Sequence, residues 1–142
     1  MRRLTVLVLA LAMMSADSAF AAATIYNDLG GQIGTYLAKF QTLRRSGKRV
    51  IIDGTCASAC TMLLGIIPRS RICVTPRAVL EFHTAWDPSP AGEPVNSPAG
   101  NRILWSYYPG DIRNWIERHG GLGSQILYLR GSALRSLLPT CR

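Results

Sequence analysis

Acidic side chains are scarce in this chain. Aspartate and glutamate together number 8 against 16 lysines and arginines, and histidine occurs only twice. Wherever chemistry needs a carboxylate beside a histidine, few candidates exist. His83 and His119 are far apart in sequence, and neither lies close to a cysteine. The C-x₃-C spacing of Cys56 and Cys60 is a poor zinc signature, so neither a metal nor a cofactor is expected. Internal repeats and low-complexity tracts are lacking. Beyond the N-terminal segment no apolar run reads as a membrane span. No nucleic-acid motif is visible, which argues against a nucleic-acid partner.

What is there begins with Met1-Arg2-Arg3, an apolar run over 4–14, and Ala19-Phe20-Ala21. A charged start, a short apolar core and an A-x-A site read as a secretory signal peptide over 1–21. One domain over 22–142 follows, exported to the periplasm or secreted. The net charge is +8. A basic envelope protein can meet anionic lipid, cell-wall polymer or acidic peptides, although a solvated basic surface is the plainer reading. Four cysteines in an exported chain predict disulfides. Three pairings are open. Helical spacing favours Cys56–Cys60, which leaves Cys73–Cys141 to tie the C-terminal end to the core.

Apolar periodicity predicts a helix carrying Ile33, Tyr36, Leu37, Phe40 and Leu43, closed by Gly47. A strand over 49–53 is bounded by Gly54. A buried helix over 57–67 is closed by Pro68. Strands follow over 71–74 and 78–83. The order is that of an α/β domain with a mainly parallel sheet flanked by helices. The Pro-, Gly- and Ser-rich stretch 87–100 reads as a loop or lid. Helices are expected over 101–108 and 111–119, a strand over 125–129, and a last helix over 132–138 capped by Ser132.

The chemistry centres on Gly54-Thr55-Cys56-Ala57-Ser58-Ala59-Cys60. Small neighbours at a strand-to-helix turn let a serine stand exposed among free backbone N–H groups. A helix cap is the structural alternative for Ser58. His83 ends an apolar strand that would emerge at the same carboxyl edge of the sheet, where open α/β folds keep their sites. A buried histidine bonded to backbone is its alternative role. Gly30 and Gly31 precede the first helix and offer unobstructed N–H groups for an oxyanion, with Ala59 as a second donor. For the third member of a triad, Asp111 is best placed by order, though an aspartate there also suits a helix N-cap. Asp87 and Glu81 are lesser candidates. His119, at a helix end, reads as structural.

In this order and spacing, Gly30-Gly31, Ala57-Ser58-Ala59 and Phe82-His83 resemble the proteolytic subunit of Clp protease and its periplasmic relatives, within the Clp/crotonase fold. The resemblance covers about 27–86. It implies a small exported serine hydrolase, peptidase-like, acting on peptide or acyl substrates. Ser58 would be the nucleophile, His83 the base, and Gly31 with Ala59 the oxyanion donors. The handle helix that builds stacked rings in that family has no counterpart here. A catalytically silent binding module of the same fold is the second reading, and a thiol-redox role for Cys56 and Cys60 the third.

Overall fold

A computed structural model describes residues 21–142. The expected signal peptide lies outside the described residues, apart from its last residue, Ala21. The chain forms a mixed α/β fold with a mainly parallel main sheet and a second, two-stranded one.

Strand β1, Ala23–Asp28, draws its extended form from Thr24, Ile25 and Tyr26, which suit a pleated surface. It was not anticipated from the sequence. Helix α1, Ile33–Arg45, follows the predicted periodicity and buries Phe40. Gly47 lies just past its end with φ 73°, a left-handed residue following the C-cap Ser46. Arg71 fastens that end, donating to the carbonyls of Leu43, Arg44 and Lys48.

Strand β2, Val50–Ala57, is longer than expected. Gly54 does not end it. The ladder with β1 pairs Ile25 with Ile52 and Asn27 with Thr55, so β2 carries one extra residue there. At this bulge a Cβ on Gly54 would overlap the Tyr26 carbonyl. Glycine is needed for close approach rather than for a turn.

A 3₁₀ turn, Ser58–Met62, runs into a short helix α2, Leu63–Ile66, where one buried helix was expected. Strands β3, Ile72–Val74, and β4, Val79–Phe82, lie end to end along the same flank of β2, both parallel to it. Strand β7, Leu127–Arg130, closes the sheet antiparallel to β4.

The stretch expected to be a loop or lid instead carries a hairpin. Strand β5, Trp86–Pro88, pairs antiparallel with β6, Pro94–Asn96. Helix α3 begins at Pro98, with Ser97 accepting from the Gly100 N–H, and ends at Tyr107. Helix α4 is Gly110–Arg118 and α5 is Gly131–Leu137. The residue capping α5 is Arg130 rather than Ser132.

The core joins Ile52 and Phe82 of the sheet to Met62, Leu104, Tyr108, Ile112 and Ile116 of the covering elements. Each such side chain contributes about 1.5–3 kcal/mol by leaving water. Both favoured disulfides form, Cys56–Cys60 and Cys73–Cys141. The second holds the C-terminal segment beside β3, where Cys141 N–H donates to the Val74 carbonyl over 3.0 Å. No helix of the described residues is long and apolar enough to cross a membrane.

Candidate active site

Ser58 is the first residue beyond β2, and His83 the first beyond β4. These strands are neighbours in parallel register, with Ala57 opposite Glu81. Adjacent strands lie about 4.8 Å apart. Both residues therefore leave the same carboxyl edge on adjoining chains, and both are partly exposed.

Ser58 has φ 53°, the one positive φ outside glycine among the described residues. A side chain in the left-handed region is uncommon and costs of order 1–3 kcal/mol unless its surroundings enforce it. Here they do. The Cys56–Cys60 disulfide spans the turn, with both cysteines buried. Thr61 Oγ1 donates to the Ser58 carbonyl over 2.6 Å. Its one proton being used, it accepts from the buried Tyr108 hydroxyl at 2.9 Å. Ser58 is thus not an N-cap. Ala57 holds the cap position, and no side chain caps this turn. Among the described residues Ser58 Oγ has no hydrogen-bond partner.

The glycine turn is seated directly on Ser58. Gly30 has φ 82°, and a Cβ there would lie 2.6 Å from the Ala57 carbonyl oxygen and 2.8 Å from Ser58 Cβ. It would also sit 3.1 Å from the Ala59 nitrogen. Gly30, Ser58 and Ala59 are therefore brought together as expected. Their roles divide, however. The Gly30 N–H donates to Asp28 Oδ1 at 3.0 Å, so it is not available to an oxyanion. The N–H groups of Gly31 and Ala59 are the ones left.

Asp28, which the sequence did not single out, holds this glycine turn. Besides Gly30 it receives the Tyr36 hydroxyl, and Lys39 Nζ lies 2.8 Å from Oδ2. Burial pushes its carboxyl up, but the bonds from Lys39, Tyr36 and Gly30 outweigh this and hold it below the usual carboxylate range. The same pairing, after burial, pushes the Tyr36 hydroxyl up to about 12. An aspartate two residues before a glycine is a recognisable turn signal that pointed here.

The His83 ring bonds through Nδ1 to the Thr84 carbonyl over 2.8 Å. A carbonyl only accepts, so Nδ1 carries a proton, and in the neutral ring the lone pair is then on Nε2. Thr84 is held in turn by its N–H bond to Gly123. No hydrogen bond joins His83 to Ser58. Gly100, at the start of α3, is wedged between Ala85 and Ile33, linking the segment after His83 to the helix after Gly31.

Asp111 stands elsewhere. It lies in the first turn of α4, and the cap position is Pro109, so it is not an N-cap. Both its oxygens are taken by Arg69, at 2.8 and 2.9 Å. The Thr84 carbonyl, not Asp111, is the group behind His83. Asp87 lies in β5, and Glu81 is partly exposed on β4. His119 stacks on Trp115 and bonds the Trp115 carbonyl, a structural position. Among the described residues no cluster of three potential metal ligands occurs. No protein-family profile matches the chain, and no curated protein matches it either.

Proposed function

We propose that this chain is an exported hydrolase of the Clp/crotonase type acting through Ser58 on peptide or acyl substrates. The observation that carries the reading is the left-handed Ser58, clamped between two buried disulfide-bonded cysteines with Gly30 packed against it. A strained serine on a strand-to-helix turn presents its hydroxyl away from its own backbone.

In this reading Ser58 Oγ attacks a substrate carbonyl while His83 Nε2 takes its proton. The tetrahedral oxygen is held by the N–H groups of Ala59 and Gly31. His83 then returns the proton to the leaving group, and water releases the acyl group by the same steps in reverse. The Thr84 carbonyl fixes the imidazole tautomer, the orienting part of an aspartate's role. Asp28 holds the glycine turn. The two disulfides support residence in an oxidising compartment, periplasmic or extracellular.

A silent binding module of the same fold draws support from the Arg69–Asp111 pair, which removes the expected acid from His83. A fluorophosphonate probe separates the two. The hydrolase labels at Ser58, and Ser58→Ala abolishes labelling with the melting temperature retained. A disulfide-intact protein that stays unlabelled from pH 6 to 9 is the silent module.

A further inference from the structure

Strand β1 is the end strand of the main sheet and pairs with β2 alone among the described residues. Among the described residues, the backbone N–H and C=O groups of its outer side have no strand partner. Along Thr24, Ile25 and Tyr26 the edge carries neither charge nor proline, and the bulge at Gly54 is the one device that bends it. Tyr26 stands 67% exposed on it and Leu29, just beyond, 69%. Beside the strand runs an open trough of about 450 Å³, walled by β1 on one side and by Tyr36, Phe40 and Leu43 of α1 on the other.

The trough's two ends differ in charge. At the Gly30 end the Asp28–Lys39 pair is internally neutral. At the Ala23 end the Ala23 N–H is bonded to the Arg49 carbonyl, and Arg44, Arg45 and Lys48 precede Arg49 in the last turn of α1 and the segment leading into β2. None of these four belongs to an ion pair among the described residues. No aspartate or glutamate lies between Asp28 and Asp53 to neutralise them. Arg71 anchors the backbone that carries them, so the cluster is held in place at one end of an open strand edge.

We propose that the β1 edge takes an extended acidic peptide segment of a partner protein, which adds a strand to the sheet and lays its carboxylates on the Arg44–Arg49 cluster. Main-chain pairing supplies the affinity and the charge match fixes which end of the segment lies at Ala23. The docking does not depend on the Ser58 hydroxyl.

The test uses the full disulfide-bonded chain and a fluorescent decapeptide alternating glutamate with valine, followed by anisotropy. Binding is expected at low salt and weakens as salt rises. Three changes should each cost about tenfold or more. One replaces every glutamate by lysine. The second N-methylates the valines, removing the donors of one strand edge while keeping all charge. The third is the surface variant R44E/R45E/R49E, checked for an unchanged melting temperature. Ser58→Ala should bind as the parent does, which keeps this outcome separate from the hydrolase reading. An N-methylated or lysine peptide that binds as well as the parent peptide overturns the proposal. So does a dimer in sedimentation that the peptide leaves intact and that Tyr26→Pro dissociates, because a second copy would then own the edge.

Discussion

The two disulfides sit in regions with opposite needs. Cys56 and Cys60 are 4 apart and enclose Ser58, whereas Cys73 and Cys141 are 68 apart and join β3 to the C-terminal segment. In the loop-entropy description the long bridge contributes about 4 kcal/mol and the short one about 2 kcal/mol. The short bridge acts on little chain, yet it spans the one strained non-glycine residue among those described. One bond thus ties distant parts of the chain together, and the other closes the turn that carries Ser58.

The sharpest way to break this contrast is to remove the long bridge. Cys73→Ala with Cys141→Ala should lower stability in urea by about 4 kcal/mol and the melting temperature by roughly 15 °C. Labelling at Ser58, measured well below the new midpoint, should hardly change. Gly30→Ala should come next. Its Cβ meets backbone at 2.6 Å and Ser58 itself, so the expected cost is about 3 kcal/mol with probe reactivity down about a hundredfold. Removing the short bridge with Cys56→Ala and Cys60→Ala should cost only about 2 kcal/mol. Reactivity should nevertheless fall about tenfold or more, since Ser58 is free to relax to negative φ. Equal reactivity in both double variants would erase the distinction between the bridges.

The last effect is alkaline and leaves stability at neutral pH untouched. Tyr36 and Tyr108 are each pushed up to about 12, Tyr108 mainly by burial and Tyr36 by burial and the Asp28 carboxylate. An unfolded tyrosine ionises near pH ~10. Above that the unfolded state binds fewer protons than the folded one, so stability present below pH ~10 falls as pH rises to 12. Tyr36→Phe should flatten part of that fall in urea titrations at successive pH values, and Tyr108→Phe the rest.

Legibility in the sequence followed locality. The helical period of Ile33, Tyr36, Leu37 and Phe40 and the pairing of Cys56 with Cys60 depend on near neighbours, and both were read from residue spacing. Gly54 was misread because its reason lies across the sheet, in the Tyr26 carbonyl. The β5–β6 hairpin hid in residues whose composition favours loops, since a two-stranded ribbon needs little apolar patterning. Strand β1 went unread because so short a run carries no clear alternation. At the candidate site, Ser58, Gly30 and Ala59 were found together because a tight turn leaves a signature of small residues. Asp111 failed because an arginine 42 positions away claims it, a long-range choice that no spacing reveals. The Thr84 carbonyl behind His83 is backbone, and side-chain motifs do not record it.

The hydroxyl pair beneath the site carries a last consequence. Thr61 spends its only proton on the Ser58 carbonyl, so the Tyr108 hydroxyl must point toward Thr61 and not away. Both side chains are buried, and neither has water to fall back on. Apolar neighbours such as Leu104 and Ile112 tolerate small slips of the helices that carry them. A directed chain of two hydroxyls does not, because a shift of one residue strands a donor in the dry interior. Tyr108 therefore works as an alignment pin, setting where the end of α3 stops along the sheet and passing that setting to the backbone of Ser58.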